Sequence, residues 1–205
     1  SSAASDVYKR QDAGPAAQDV ALTALRSVAE ELGTAALGRV RHRLVVTHPV
    51  TAEDRAFLAA AGVSATVVPD ADGVLHAPVA SLLADAVTVC LGAGPAGDPW
   101  AAVRSALSHP DPDERISARS AFAAATRTPL RALPDAPAAR LSVAPRLSVS
   151  APAVFGVWDA DAVAVQSPDG RVAAWSTDTR AGTPLLPALD AETALPRWRA
   201  TWVDG

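Results

Sequence analysis

Between Arg43 and Ala93 apolar runs alternate with helix-period segments. Leu44-Val45-Val46-Thr47 is apolar and β-branched, as expected of a buried parallel strand. It stops at His48-Pro49, because proline has no N–H to continue a ladder. Thr51 has the chemistry of a helix N-cap, and Glu53 and Asp54 follow in the first turn, where the helix dipole favours acids. That helix is predicted to run to Ala61 and close on Gly62. Ala65 to Val68 reads as a second strand, ended by the turn cluster Pro69-Asp70-Ala71-Asp72-Gly73. Pro78 to Ala86 is a short apolar helix with proline near its first turn. Val87 to Leu91 is a third strand, emptying into Gly92-Ala93-Gly94-Pro95-Ala96-Gly97. Strand, helix, strand, helix, strand with short connections predicts right-handed βαβ units on a parallel sheet.

The flanks are less regular. Asp19 to Leu32 places Val20, Leu25, Val28 and Leu32 at helical spacing, with Gly33 as C-cap. A linker through Gly38 then leads to Arg39-Val40-Arg41-His42-Arg43, which reads as a solvated basic entry to the first strand, with His42 on the surface. Trp100 to Leu107 gives one or two amphipathic turns, broken by His109-Pro110-Asp111-Pro112. Glu114 to Thr126 is alanine-rich and helix-compatible, and Pro129 to Pro145 reads as a loop or covering segment. Leu147 to Val149 and Val154 to Trp158 read as strands. Val163 to Gln166, Ser167-Pro168-Asp169-Gly170 and Arg171 to Trp175 form the clearest hairpin signal, with no second copy at propeller-blade spacing. The expected fold class is therefore α/β: a parallel or mixed sheet with flanking helices and a C-terminal β-hairpin. The α/β core spans 12–108, a helical and proline-rich covering segment 109–146, and strands, hairpin and tail of the same domain 147–205.

Composition changes the picture at the N-terminus. Asp6-Val7-Tyr8-Lys9-Arg10-Gln11 resembles a translated sequencing-adapter end, and it holds the only tyrosine and the only lysine of the 205 residues. Residues 1–11 are therefore set apart from fold reasoning as a non-native scar. There is no methionine, and the chain reads as a fragment starting near Asp12. The whole sequence carries a net charge of −4, which becomes −5 without Asp6, Lys9 and Arg10. Abundant alanine, arginine, valine and proline indicate a GC-rich bacterial genome, so periodicity is judged on valine, leucine, phenylalanine and tryptophan. A mildly acidic chain without a basic cluster argues against a nucleic-acid partner, which requires a cationic footprint. No apolar run is long enough to span a bilayer, so no membrane partner is expected. One cysteine excludes a disulfide framework and fits a reducing, cytoplasmic setting.

Candidate chemistry sits at the seams. The histidines are too far apart in sequence for a metal-ligand spacing, and Cys90 stands alone in mid-strand, where a buried, inert thiol is expected. No lysine is placed to complete a Walker-type phosphate loop, so no cofactor is expected. His48 ends a strand and precedes a helix N-terminus, where an imidazole can donate to a developing oxyanion or act as acid/base near neutral pH. The alternative is a loop histidine satisfied by backbone groups, and the same pair of readings applies to His76.

Three segments resemble, in order, the C-terminal half of a β-ketoacyl synthase. Leu44-Val45-Val46-Thr47-His48, followed by Ala52-Glu53-Asp54-Arg55, resembles the strand and helix start that deliver the first catalytic histidine. Gly73-Val74-Leu75-His76-Ala77-Pro78-Val79 resembles the glycine–histidine loop carrying the second, with Val74 at the family's histidine position and His76 two residues later. Val154 to Val165, containing Phe155-Gly156, resembles the glycine-rich phenylalanine loop and last core strand. The resemblance implies a thiolase-like half. It implies His48 and His76 as catalytic residues promoting decarboxylation and polarising a thioester, and Gly73, Phe155 and Gly156 lining an acyl pocket. Implied partners are acyl carrier protein or acyl-CoA, in a homo- or heterodimer of fatty-acid or polyketide metabolism, either active as an acyltransferase or as a non-catalytic subunit. A second resemblance, to the actin-like heat-shock ATPases, rests on the helix–strand–proline–helix cadence of Gln18 to Gly62 and on Val87 to Gly94. It implies a nucleotide module in which Cys90 replaces the metal-side aspartate of a degenerate phosphate loop. A non-enzymatic α/β interaction domain is the third reading.

Overall fold

In the computed structural model the described residues are 14–133, 149, 153–166, 175–176 and 185–203. The adapter-like residues 1–11 and the Ser167–Gly170 turn lie outside them. The chain opens with α1 (Pro15–Leu32) and α2 (Thr34–Val40). Then come β1 (Arg43–Val46), α3 (Ala52–Ala60), β2 (Ser64–Val67), α4 (Val79–Ala84) and β3 (Val89–Leu91). All three strands are parallel and adjacent in chain order, β1-β2-β3. The α/β expectation is met at this level.

The strand faces follow from the register. Leu44, Ala65 and Val89 align in one row and Val46, Val67 and Leu91 in another, and all six are buried in one core with Leu22, Leu37, Leu58, Val79 and Leu82. The intervening row, Val45, Thr66 and Cys90, lies on the opposite face because successive side chains alternate. β1 is one of the two edge strands of this sheet, and there the expected continuous burial fails. Arg43 is exposed and Val45 is 47 % exposed, while Cys90 at the other end of its row is buried.

Local chemistry explains the helices. Thr51 caps α3 in a reciprocal box, its hydroxyl oxygen accepting the Asp54 N–H at 3.1 Å and its own N–H bonding the Asp54 carboxylate at 3.2 Å. Gly62 follows with φ +61°, and a Cβ there would meet the Gly38 Cα at 3.3 Å, so α2 packs closely on the end of α3. The segment through Gly38, expected as a linker, is instead the helix α2. Leu37, 2 % exposed, anchors it. Arg26 of α1 bonds Asp54 at 2.8 Å, lies within 3.5 Å of Glu53 and covers the Phe57 ring at 4.7 Å, clasping α1 to α3.

Beyond β3 come α5 (Pro99–Leu107), a 3₁₀ turn (Pro112–Glu114), α6 (Ala118–Thr126) and α7 (Thr128–Arg131). The alanine-rich helix therefore starts at Ala118, with Ser117 as N-cap, rather than at Glu114. Glu114 instead accepts the Ser81 N–H at 3.0 Å and the Ser81 hydroxyl, tying the 3₁₀ turn to α4. α7 occupies the start of the expected proline-rich loop, since Pro129 fits a helix's first turn. The C-terminal strands are β4 (Phe155–Asp159), β5 (Val163–Gln166), β6 (Trp175–Ser176), β7 (Leu186–Pro187) and β8 (Arg197–Trp202). β4 pairs antiparallel with β8, and β5 lies between β6 and β7. The expected antiparallel return is present, with Gln166 opposite Trp175. Trp158 meets Trp100 edge-on at 6.1 Å, and Arg104 donates to the Thr193 carbonyl, so this part packs on α5.

The clasp carries an acid-sensitivity. Burial alone would raise the Asp54 carboxyl, but the hydrogen bonds from Thr51 and Arg26 outweigh it and hold it below the ordinary carboxylate value. A carboxyl lowered by folding stabilises the fold above its unfolded pKa, about 3.9, and that contribution is lost as pH falls through the folded value. Asp54→Asn should thus have a lower Tm than the parent at pH 6, and the two should converge towards pH 2. Parallel Tm curves across that range would remove Asp54 from the acid response.

Candidate functional site

The carboxyl ends of β1, β2 and β3 lie side by side and release three loops, 47–51, 68–78 and 92–98. Parallel α/β sheets place ligands at this edge. His48 sits just beyond β1, half-buried, with its Nδ1 2.7 Å from the Thr47 hydroxyl. The backbone here is held by a residue that sequence reasoning missed. Gln18 of α1, 5 % exposed, accepts the N–H groups of Thr47 (3.0 Å) and His48 (3.3 Å) at Oε1, and its amide nitrogen donates to the carbonyls of His48 (3.3 Å) and Pro49 (3.4 Å).

His76 closes the β2 loop. Its Nε2 lies 2.9 Å from Asp70 Oδ2, while Asp70 Oδ1 accepts the N–H groups of Asp72 (2.9 Å) and Val74 (2.8 Å). The Val74 N–H and the His76 imidazole hold the Asp70 carboxyl below the ordinary carboxylate range. The result is an ionised, backbone-fixed carboxylate presenting an exposed imidazole. Val74, at the family histidine's position, contributes its backbone to this arrangement. No hydrogen bond joins His48 to His76; each imidazole has its own partner, Thr47 or Asp70.

The third loop supplies shape. A Cβ on Gly92 would stand 2.6 Å from a Val68 methyl, and one on Gly94, at φ +64°, 2.9 Å from the Pro69 carbonyl oxygen. These glycines let the β3 loop lie against the β2 loop. α5 follows directly, capped by Asp98, which accepts the N–H groups of Trp100 (2.8 Å) and Ala101 (3.3 Å). Cys90, opposite Thr66, is 2 % exposed; burial pushes its thiol up, with Arg43 opposing. Its burial is as expected of a mid-strand position.

The three residues assigned to an acyl pocket are held by different elements. The Gly73 carbonyl accepts the Ser105 hydroxyl of α5 at 2.6 Å. Phe155 stacks on Trp202 at 6.3 Å across the β4–β8 pair. Gly156 makes room for Trp158, because a Cβ there would stand 3.1 Å from the indole nitrogen. The neighbouring groove, about 500 Å³, is lined by Asp98, Pro99, Trp158 and Trp198 among others, rather than by Phe155 and Gly156. Of the other histidines, His42 is exposed, and His109 is buried with Nδ1 accepting the Asp111 N–H at 3.1 Å. Among the described residues no three His, Cys, Asp or Glu side chains group as metal ligands, and no helix is long and apolar enough to cross a membrane. No protein family, curated protein or solved structure matches the chain.

Two outcomes follow from these placements. A water-soluble thiol reagent should label Cys90 far more slowly in the native protein than in denaturant; similar rates would show the covering of β3 to be open. Gly156→Ala should displace the Trp158 indole from the edge of Trp100, a contact worth about 0.5–1.5 kcal/mol, and red-shift the tryptophan emission. An unaltered spectrum and Tm would leave Gly156 without that role.

Proposed function

We propose that the carboxyl-end rim of β1–β3 performs acid/base chemistry on a small carbonyl compound. His76, oriented by Asp70, is the proton-transfer group, and His48 donates a hydrogen bond to the carbonyl oxygen. The Asp70–His76 pair at 2.9 Å, on a loop that leaves the end of a parallel strand, carries this reading. A carboxylate fixed by two backbone N–H groups holds the imidazole in one orientation and stabilises it when it takes up a proton. The sequential order β1-β2-β3 adds support, since it is the winding of consecutive units in a β/α barrel, where active sites gather at the carboxyl ends of the strands.

An acyl thioester on coenzyme A or acyl carrier protein is one ligand of this class. A β-ketoacyl-synthase-like role, condensing or as a silent partner, is the second reading. Its support is His48 at the end of β1 followed by the capped start of α3 at Ala52-Glu53-Asp54-Arg55. The separate anchoring of Gly73, Phe155 and Gly156 favours simple carbonyl activation over a thiolase-like acyl tunnel. The actin-like reading has weaker support, because the glycines of the β3 loop pack against Val68 and Pro69.

The test uses acetyl-CoA, followed by release of free thiol, and a small acetate ester, followed by release of acid. His76→Ala should lower turnover about 10²-fold or more, and His48→Ala should lower it on the order of 10²-fold. His42→Ala, at an exposed histidine away from the rim, should leave it unchanged. Turnover of the thioester alone would favour the second reading. Failure of both compounds to react, together with unmoved imidazole NMR signals when they are added, would sink the proposal.

A further inference from the structure

We infer that Gln18 is the positioning residue that sets the orientation of the His48 imidazole; the functional weight of this rests on reading His48 as the carbonyl donor. Successive side chains on an extended strand point to opposite faces, so neighbours rarely bond each other. Thr47 and His48 nevertheless bond at 2.7 Å, which requires the chain to leave the pleat immediately after Val46, and residue 48 is indeed a bend. Once it bends, β2 no longer serves the backbone of this turn: the last β1–β2 register pair is Val46↔Val67. The Gln18 amide takes over on both sides. Its oxygen accepts the N–H groups of Thr47 and His48, and its nitrogen donates to the carbonyls of His48 and Pro49.

A primary amide reproduces the donor and acceptor of a peptide group, so Gln18 acts as a one-residue stand-in for a neighbouring strand. Because α1 is clasped to α3 through Arg26 and Asp54, this stand-in is anchored from both ends of the turn it serves. The His48 backbone is thereby fixed on its N–H and its carbonyl together. With Thr47 fixed beside it, the imidazole is left one stable orientation and one Nδ1 partner. Asparagine would be a methylene too short to span these four groups. Glutamate would keep the two accepted bonds but turn a second oxygen towards two carbonyls.

The experiment reads His48 itself in ligand-free protein at fixed pH, through its ring ¹⁵N shifts and the exchange of the Thr47 and His48 amides. Gln18→Met should replace a single-tautomer ring pattern by averaged shifts and speed exchange of both amides at least tenfold, leaving the His76 ring unchanged. Gln18→Glu should fall between Gln18→Met and the parent. If Gln18→Met speeds exchange while the His48 ring keeps its parent pattern, Gln18 is a strand cap only and the inference is overturned. Should Gln18→Met fail to fold, Gln18→Glu carries the test alone: the two donated bonds are lost, the His48 ring pattern should average, and a ring that keeps its parent pattern while amide exchange quickens would overturn the inference. Because no ligand is present, absence of carbonyl turnover would refute the proposed reaction without altering this result.

Discussion

An edge strand exposes a row of backbone donors and acceptors, and the carboxyl end of β1 is where this protein's candidate site begins. Just beyond that end, the buried Gln18 amide satisfies four peptide groups of Thr47, His48 and Pro49. Without it, Thr47, His48 and Pro49 would lose these protein partners, at a cost approaching about 1–3 kcal/mol only for a group that water cannot reach. That cost would compete directly with keeping the turn shut. The consequence reaches beyond local stability, because a turn that opens would carry His48 with it. One amide thus links the packing of α1 to the geometry of the first rim loop.

The rest of the scaffold supports this link by crossing contacts between distant segments. Arg26 joins α1 to α3, Glu114 joins the 3₁₀ turn to α4, and Ser105 of α5 holds the Gly73 carbonyl at the base of the His76 loop. Each places a polar group of a helix on the backbone or side chain of a segment that flanks the rim. The apolar core below is shared by α1, the sheet, α5, α6 and Leu189 near the C-terminus. The rim loops are therefore positioned by a common body, and the second and third also pack against each other.

Much of the α/β region was legible because its signals are local. Thr51 with Asp54, Gly62 after Ala61, and proline after His48 each act within a few residues, and each appears where its chemistry places it. Two helices were illegible for equally local reasons. α2 has one buried leucine, Leu37, and an exposed Val40 beside two alanines and a glycine, so with alanine discounted in a GC-rich sequence no helical spacing remained. In α7 the proline that reads as a breaker fills a first-turn position. The geometry of the candidate site was half legible. The strand-to-helix seams pointed to His48 and His76, but Gln18 acts on residues 29–31 positions away, and no spacing rule reports such a contact. Gly156 was recognisable as a glycine with a purpose, but its purpose is Trp158, which only the β4–β8 pairing reveals.

The glycines of the third loop decide how the rim can be used. Side chains at Gly92 or Gly94 would collide with Val68 or the Pro69 carbonyl, so that loop can approach the β2 loop only by giving up side chains of its own. It consequently lies close without adding a titratable group, and its one carboxylate, Asp98, is engaged in capping α5. In the proposed reaction, proton transfer therefore falls to the first two loops. Between them the division is geometric: the Asp70 carboxylate, itself held by two backbone N–H groups, orients the exposed His76 ring, whereas the Thr47 hydroxyl orients the half-buried His48 ring beside a backbone that Gln18 fixes. In the proposed reaction the exposed ring is the one placed to exchange a proton, and the backbone-fixed ring is the one placed to hold a steady hydrogen bond.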